Sequence, residues 1–332
     1  MKKSLIALAV LASTGAAMAQ SSVTLYGIVD VNLQSSTKGG LTKQALESGG
    51  VSGSRFGLKG SEDLGGGLKA NFVLESGFTI DDGKQSKAGS LFNRQSYVGL
   101  SGGFGEVQLG NSYTPLDDIN GTANAVFDSI LSPTAGSTNN YALQAGYVSN
   151  PLNQIKYLSP SFGGFSGAVS YALGENKTAT TSARNVVGLN IQYAAGPLYV
   201  GYAHQNDKKN VTPGIATKHN LINATYDLGV AKLLASYRDV KNTDQGDDKE
   251  KTVQIGVDVP VGASLVVSTG FAHSVAENAG ALDRKSNGFA VGASYSLSKR
   301  TSVYTGVNLT RVKDGAIKEK GSLYAVGIRH AF

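Results

Sequence analysis

The 332-residue chain contains no cysteine and no tryptophan, and only 7 prolines. Without cysteine, no disulfide framework and no cysteine-ligated metal site can form. The 4 histidines, at positions 204, 219, 273 and 330, show no metal-ligand spacing. The chain has no G-x-S-x-G motif and no phosphate-binding loop, and its S-x-x-K match at 35–38 lacks the companion motifs. The sequence therefore predicts no metal, no cofactor and no enzyme, although a hydrolase assembled from distant residues stays formally open.

Long apolar runs are missing from most of the chain, with one exception near the N-terminus. Lys2 and Lys3 precede an apolar stretch, and residues 17–19 read Ala-Met-Ala, which is the order of a secretory signal peptide. We therefore expect residues 1–19 to be cleaved and residues 20–332 to form one domain. An N-terminal membrane anchor is the alternative, but the apolar stretch is short for a span. Since no later segment reaches about 18 continuous apolar residues, a helical membrane protein is excluded.

Charge is sparse, at 16% of residues, and of mixed sign. The net charge of +6 comes from lysines and arginines that are scattered singly and accompanied by carboxylates. Proteins that bind nucleic acid instead concentrate basic residues in a patch or stripe. We therefore expect no nucleic acid partner.

The feature that recurs along the chain is alternation with a period of two. Residues 68–75, 187–193, 253–259 and 289–297 each place apolar side chains on one strand face and small or polar ones on the other. In a soluble sandwich the polar face would be rich in charge, whereas here it consists mainly of glycine, serine, asparagine and glutamine. A water-filled lumen inside a lipid-facing wall suits that composition.

Turn-forming residues divide the strands in a regular order. Seven tight connections alternate with eight longer polar ones, of which the first covers about 34–53 and the third about 112–152. These connections separate sixteen strands. The predicted fold is therefore all-β: a 16-stranded antiparallel transmembrane β-barrel with short turns on one rim and long loops on the other.

The two ends of the chain both show the alternation of a β-strand, and we interpret them as neighbouring strands. Residues 324–332 alternate as far as the terminal Phe332, and a strand at the end of a chain needs a partner. Residues 23–32 alternate in the same way. We expect these two segments to pair and to close the barrel.

Three sequence blocks and the terminal phenylalanine carry a resemblance to a known family. The blocks are SVTLYG at 22–27, SRFGLKGSEDLGGG at 54–67 and NRQSYVGLS at 93–101. With Phe332, they resemble the general diffusion porins of beta-proteobacteria, the neisserial-like Gram-negative porins. The resemblance implies a homotrimer of barrels in the bacterial outer membrane, in contact with lipid and lipopolysaccharide, and a third external loop folded into the lumen. It also implies that the barrel-assembly machinery reads Phe332 as a signal in the last strand.

The connection over 112–152 is the longest and carries two adjacent carboxylates, Asp117 and Asp118. A long stretch without secondary structure inside a compact fold is usually functional. One interpretation makes the two aspartates part of a turn or helix cap after Pro115. The other makes them the acidic side of a pore constriction.

The alternation of side chains along the strands predicts which basic residues face the two aspartates. The residues next to Arg55 and Lys156 along their strands are apolar and are expected to face lipid, so Arg55 and Lys156 themselves should face the lumen. Arg94 alternates in step with the polar face of its strand and should face the lumen as well. The resemblance places the basic side of the constriction at these three residues, with arginine more usual at the position of Lys156. A lysine keeps the charge but lacks the rigid guanidinium fork. Four further residues are predicted to face the lumen in a secondary role: Lys59, Lys69, Glu75 and Arg329.

These features predict passive diffusion of ions and small hydrophilic solutes. Three wall cations against two loop anions predict a weak preference for small anions. A substrate-specific channel and an adhesin on the same barrel are the alternatives. A sugar channel needs a file of lumen-facing aromatic residues, and the inward candidates, Tyr26, Tyr199 and Tyr304, belong to separated strands. An adhesin would act through the polar connections over 240–251 and 274–287, which are also typical of solvated tips.

Overall fold

The computed structural model describes residues 22–135, 143, 146–181, 183–208, 216–243, 248–277 and 283–332. The predicted signal peptide, residues 1–19, lies outside these described residues, and so does part of the 112–152 connection.

Seventeen β-strands and one short helix make up the described structure. The helix, α1, spans Pro115–Asn120. The strands are β1 Ser22–Lys38, β2 Leu41–Ser48, β3 Arg55–Gly65, β4 Leu68–Gly77, β5 Gln95–Gly102, β6 Gly105–Asn111, β7 Gln154–Leu158, β8 Phe165–Ala172, β9 Val186–Ala195, β10 Leu198–Lys208, β11 Ala216–Asp227, β12 Lys232–Asn242, β13 Asp248–Val261, β14 Leu265–Glu277, β15 Arg284–Ser296, β16 Thr301–Asp314 and β17 Ile317–Ala331.

The first and last strands close the sheet, as the sequence predicts. β1 and β17 pair antiparallel from Ile28 opposite Ala331 to Lys38 opposite Gly321. Beyond the last strand residue, Gly27 and Phe332 exchange two backbone hydrogen bonds of 3.1 Å. The Phe332 ring lies against the Cα of Gly27, in the space that a side chain at position 27 would occupy. The missing side chain at position 27 therefore makes room for the terminal ring at the seam.

The seventeen strands form a closed barrel of sixteen, because β2 and β3 continue one another along β1. Val31–Lys38 pairs with β2, whereas Ser22–Ile28 pairs with β3. The irregular segment 49–54 separates β2 from β3. Every other strand pairs antiparallel with its sequence neighbour. The predicted 16-stranded antiparallel fold is confirmed.

The prediction of a loop over 34–53 is wrong for most of its length. β1 runs to Lys38 and β2 begins at Leu41, so a two-residue glycine turn joins them. Both of these glycines have positive φ, 58° for Gly39 and 81° for Gly40, which suits a tight hairpin turn. The polar residues of this hairpin still form backbone hydrogen bonds between strands, although they lie beyond the apolar band. Polar side chains alone therefore do not mark where a strand ends.

The two faces of the wall differ as the alternation predicts. Large apolar side chains are exposed on the outer face, for example Val253, Ile255, Phe271 and Phe289. Residues of opposite parity are small or polar and buried, including Thr252, Gln254, Ala272 and Ala290. An apolar outer band of this kind suits contact with lipid. Separately, no helix in the described ranges combines the length and the apolar character needed to cross a membrane.

The connection between β6 and β7 folds into the barrel and packs on its inner wall. Val126 and Leu131 of this connection form a buried apolar cluster with Leu234 and Leu323 of the wall. Leu116 and Ile119 of α1 form a second cluster with wall residues such as Leu221. The connection, called the inner loop below, therefore fills part of the lumen with an apolar core.

Polar wall side chains hold the backbone of the inner loop. Asn190 on β9 donates to Pro115 O at 2.7 Å, and Gln254 on β13 donates to Ala123 O at 2.8 Å. The same arrangement recurs around the wall with Gln154, Gln205, Asn223, Thr252 and Asn308 as donors. Buried carbonyls need partners, and these inward amides and hydroxyls supply them. The polar face that suggested a water-filled lumen serves in large part to bind the inner loop.

Glycines on the inner face allow the loop to approach the wall closely. A Cβ added at Gly256 or Gly270 would lie 2.5 Å from Ala125 Cβ. A Cβ at Gly288 would overlap the carbonyl oxygen of Pro133, and one at Gly292 would lie 2.6 Å from Val126 Cγ1. Neighbouring strands thus present a shallow glycine track that receives the loop.

Replacing Gly288 by alanine should therefore force the loop away from the wall, because the carbonyl of Pro133 is backbone and cannot move alone. We expect the free energy of unfolding to fall by about 1–3 kcal/mol, the usual cost of overpacking. We also expect faster proteolysis within the inner loop. Denaturant unfolding in detergent and limited proteolysis measure the two effects.

Gly103→Ala is the matched control, since a Cβ there meets nothing within 4 Å. A Gly288→Ala protein with the unfolding curve and cleavage pattern of the control would show that the glycine track does not position the loop.

Candidate functional site

The inner loop begins with a capped helix that carries both predicted aspartates. Thr114 is the N-cap of α1, and its side chain accepts a hydrogen bond of 3.3 Å from Asp117 N. Pro115 occupies the first helical turn, where its missing N–H costs nothing. Asp117 and Asp118 lie in that first turn and do not cap the helix themselves. Their carboxylates are therefore left to make contacts outside the helix.

Asp118 forms an ion pair with Lys156 on β7. Lys156 Nζ lies 2.7 Å from Asp118 Oδ2 and donates to Tyr113 O at 2.9 Å. The Lys156 side chain is only 3% exposed, while that of Asp118 is 26% exposed. Lys156 thus lies on the lumen side, as predicted, but as a buried cation whose charge Asp118 matches at contact distance.

Arg55 and Arg94 lie together around one carboxylate. Arg94 Nε lies 2.7 Å from Glu75 Oε1, and Arg55 Nε lies 3.8 Å from Glu75 Oε2. Tyr26 OH donates to the same Oε2 at 2.9 Å. Glu75, which the sequence predicts only in a secondary role, is therefore the residue that organises the two arginines.

The other secondary residues take different places. Arg329 Nε donates to Ser52 Oγ at 2.9 Å, and Arg329 lies within electrostatic reach of Arg55. Lys59 is exposed, with its ammonium 5.3 Å from the centre of the Tyr26 ring. Lys69 pairs with Asp63 beside the β3–β4 turn. Because it lies six residues before Glu75 along β4, it is roughly 20 Å from the arginines. Arg329 and Lys59 thus extend the basic wall, and Lys69 lies near the rim.

Tyr113 lies between the arginine wall and the lysine–aspartate pair. Its ring centre is 5.8 Å from Arg94 Cζ, and its carbonyl accepts from Lys156. Together, the arginines, Tyr113 and the first turn of α1 form one continuous cluster.

Asp117 faces a second group of residues at the far end of the inner loop. Tyr147 OH donates to Asp117 Oδ1 at 2.6 Å, and Arg238 Cζ lies 4.9 Å from the Tyr147 ring centre. Burial raises the pKa of the Asp117 carboxyl to about 6, and the neighbouring Asp118 and Asp128 add to that rise. The hydrogen bond from Tyr147 and the charge of Arg94 act in the opposite direction. We therefore expect Asp117 to change charge near pH 6.

Sequence reasoning missed Asp30, which fixes the segment between β2 and β3. Its buried carboxylate accepts from the backbone N–H groups of Gly50, Val51 and Ser52 at 2.7–3.1 Å and from Tyr304 OH at 2.5 Å. Gly50 O in turn accepts from Ile130 N of the inner loop at 3.0 Å. Asp30 thus anchors the segment that carries Ser52 toward Arg329. The inward parity of Asp30 was visible in the sequence, but the turn that it would hold was not.

Asp128 is a third loop carboxylate that the sequence analysis did not single out. It lies in a run with positive φ at Val126, Phe127 and Asp128, a conformation that is costly for a β-branched residue such as Val126. Hydrogen bonds from Val126 N to Ser268 Oγ and from Asn124 Nδ2 to Asp128 Oδ1 hold this turn. A count of all carboxylates in the loop would have found Asp128.

The arrangement brings fixed charges of opposite sign near one another, since Arg94 lies within electrostatic reach of Asp117. Cations of Arg55, Arg94 and Arg329 belong to the wall, and carboxylates of Asp117 and Asp128 belong to the loop. Clusters of fixed charge of this kind can select mobile ions by sign.

Comparison with known proteins agrees with this geometry. The sequence profile described as Gram-negative porin matches residues 4–315. Outer membrane porin protein 32 of Delftia acidovorans is 40% identical over 361 residues, and the alignment covers 100% of both chains. Major outer membrane protein P.IB of Neisseria lactamica is 32% identical over 353 residues, again with 100% of both chains covered.

A solved structure shares the whole architecture. The chain is similar to the anion-selective porin from Comamonas acidovorans with a TM-score of 0.79 and 31% sequence identity. The superposition covers 94% of this chain and 100% of that one.

Proposed function

We propose, from the premise that the chain belongs to the Gram-negative porin family and forms an outer-membrane channel, that it passes small hydrophilic solutes by passive diffusion with a weak preference for anions. The observation that carries the preference is the arginine pair at the constriction. Arg55 and Arg94 share the single carboxylate of Glu75, so one positive charge stays unmatched there. Arg329 adds a second positive charge nearby.

The loop side reduces this preference without cancelling it, because Lys59 is a third positive charge on the wall beside Tyr26. The charge of Asp118 is matched by Lys156. Asp117 and Asp128 remain to oppose the wall, and the raised pKa of Asp117 keeps it partly protonated near pH 6. The Comamonas porin, which is named anion-selective, has the same fold, and this supports the sign of the proposed preference.

The alternatives have less support. Of the inward aromatic candidates for a sugar channel, Tyr26 bonds to Glu75 and Tyr304 bonds to Asp30. Because each of these tyrosines is hydrogen-bonded to a carboxylate, they do not form a continuous aromatic surface along which a sugar could move. For an adhesin, residues 244–247 and 278–282 of the proposed tips lie outside the described residues.

We also propose how the chain is exported and assembled. Residues 1–19 are a signal peptide, three mature chains form a homotrimer, and the assembly machinery reads Phe332 in the last strand. The exposed position of the Phe332 ring on the seam supports the last of these. We further propose that the barrel contacts lipid and lipopolysaccharide, and its apolar outer wall supports the contact with lipid.

Charge changes at the constriction should shift ion selectivity in opposite directions. Arg55→Gln with Arg94→Gln should lower the chloride-to-potassium permeability ratio, and Glu75→Gln should raise it. We expect about two- to fivefold per unit charge, since a charge a few ångströms away in water contributes about 0.5–1 kcal/mol. Reversal potentials in planar bilayers under a potassium chloride gradient measure the ratio.

Lys69→Gln is the control, because it removes one lumenal charge far from the arginines. Selectivity that responds to Lys69→Gln as strongly as to the arginine changes would place the filter elsewhere. Chloride preference that is unchanged in both constriction variants would remove the proposed role of the arginines.

Selectivity should also depend on pH through Asp117. Its pKa is raised to about 6, so the carboxylate is charged above that pH and neutral below it. Lowering the pH from about 7.5 to about 5 therefore removes a negative charge and should raise the chloride preference by a similar two- to fivefold. Asp117→Asn should have the low-pH selectivity at both pH values. A pH response that persists in Asp117→Asn would assign the titration to another group.

The mass of the purified assembly tests the export and assembly proposals together. We expect three chains, each beginning at Gln20, by native mass spectrometry of protein extracted from outer membranes. A single chain, or chains that retain Met1, would contradict the trimer or the cleavage site respectively.

A further inference from the structure

Four polar residues on three neighbouring strands form a buried group beside the end of the inner loop. We call this group the wall cluster: Gln205 and Asp207 on β10, His219 on β11 and Arg238 on β12. Gln205 and His219 are fully buried and lie directly opposite each other in the β10–β11 register. Asp207 is 8% exposed and Arg238 is 2% exposed. Buried polar groups need partners, so the contacts of the wall cluster show what it holds in place.

The wall cluster binds both backbone groups of Val148 in the inner loop. Val148 N donates to Asp207 Oδ2 at 3.0 Å, and Val148 O accepts from Gln205 Nε2 at 2.8 Å. The same side-chain amide also donates to Asp207 Oδ1 at 2.8 Å. Asn190, by comparison, holds a single carbonyl of the loop. Because the N–H and the C=O are bound together, the direction of the chain at Val148 is fixed, and so is the place of the preceding residue, Tyr147.

Arg238 and His219 complete the cluster and lie beside the Tyr147 ring. Arg238 Nη2 donates to His219 Nδ1 at 3.2 Å. A guanidinium can only donate, so Nδ1 accepts, and the hydrogen of a neutral imidazole then lies on Nε2, 3.5 Å from Asp207 Oδ2. Arg238 Cζ lies 4.9 Å from the centre of the Tyr147 ring. The His219 ring lies edge-on to the Tyr147 ring, with their centres 6.1 Å apart. Two members of the wall cluster thus restrict the aromatic ring.

Tyr147 connects the wall cluster to the constriction. Its hydroxyl donates to Asp117 Oδ1 at 2.6 Å. Burial is the largest cause of the raised pKa of Asp117, and the hydrogen bond from Tyr147 opposes that rise. The charges of Asp118, Asp128 and Arg94 act on the same carboxyl. The Tyr147 side chain therefore acts on Asp117 in two opposite ways: its ring excludes water, and its hydroxyl stabilises the charged form.

We propose that the wall cluster positions Tyr147 over Asp117 and thereby sets the charge that the inner loop presents to a passing ion. Its members are positioning residues, because they act on the ion only through Val148 and Tyr147. The inference rests on the proposed channel function and deepens it. It extends the part of the molecule that determines selectivity from the constriction to strands β10, β11 and β12.

Gln205→Met tests the proposal, because methionine has a similar length but donates no hydrogen bond. Val148 O then loses its partner, so we expect residues 146–149 to leave the wall and Tyr147 to uncover Asp117. The pH midpoint of the chloride-to-potassium permeability ratio should fall from about 6 toward about 4, the ordinary pKa of an aspartate. Tyr147→Phe keeps the ring and removes only the hydroxyl, so the same midpoint should rise. Reversal potentials of the full-length mature protein in planar bilayers, taken over a series of pH values, give the midpoint.

The double variant separates positioning from a merely structural role. If Gln205→Met moves the Tyr147 ring away, adding Tyr147→Phe should change nothing further, so the two effects should be non-additive. Gln254→Met is the matched control, since it removes an equivalent amide that donates to Ala123 O in another part of the loop. In that background Tyr147→Phe should raise the midpoint as fully as in the wild type. Additive effects of Gln205→Met and Tyr147→Phe would overturn the proposal.

Hydrogen exchange gives a readout that does not depend on ion selectivity. The amides of residues 147–149 should exchange about tenfold faster in Gln205→Met than in Gln254→Met, the effect of losing one buried hydrogen bond. Unchanged exchange there would overturn the proposal whatever the selectivity shows. Faster exchange in a protein whose wild type has no pH response would confirm that the cluster positions the segment. The failure would then lie in the proposed function.

Val148→Pro is a second test that leaves the barrel wall unchanged, so it still applies if Gln205→Met does not fold. Proline has no N–H to donate to Asp207. We expect the same fall in the midpoint and the same faster exchange at the amides of residues 147 and 149. Conductance equal to that of the wild type shows that each variant forms an intact barrel. A Val148→Pro protein with the wild-type midpoint and exchange would contradict the proposal.

Discussion

Pairing of β1 with β17 is the interaction on which the rest of the molecule depends. In a hydrocarbon layer every backbone N–H and C=O needs a partner within the protein, and an open sheet would leave two edges unsatisfied. The pairing from Ile28–Ala331 to Lys38–Gly321, extended by Gly27 and Phe332, removes both edges. Closure also separates the two faces completely. The outer face can then carry apolar side chains that contact lipid, while the inner face carries the polar and charged side chains that bind the loop and line the lumen.

The inner face solves a second problem of the same kind. A long loop inside a barrel brings its own backbone polar groups into a partly buried space, where they also need partners. Amide side chains such as Asn190 and Gln254 provide them, and glycines such as Gly270 let the loop approach closely enough to be reached. Held by the wall in this way, the loop keeps its carboxylates at a fixed distance from the arginines.

Sequence periodicity was sufficient for the barrel and for the side of the wall on which each residue lies. The terminal alternation predicted the seam, and parity put Arg55, Arg94 and Lys156 on the lumen side. Parity does not say which residue lies opposite across the lumen, because that depends on how the loop folds. For this reason the pairing of Lys156 with Asp118 and the central place of Glu75 could not be predicted. The same limit explains Asp30, whose partners are backbone groups of an irregular turn, and it explains why the polar inner face was read as water-lined when much of it binds the loop.

The way charges are shared at the constriction explains why a weak selectivity is expected rather than a strong one. An ion pair at 2.7 Å, such as Lys156 and Asp118, produces little field at a distance, because its two charges cancel. Its main effect is to fix the start of the loop. Arg55 and Arg94 share one carboxylate between them, so their group keeps a net positive charge that a passing ion can feel. Loop carboxylates oppose that charge across water, where the attraction between unit charges is small and is screened by salt. The proposed selectivity is therefore a small difference between nearly balanced charges, and we expect the protonation of one residue, Asp117, to change it measurably.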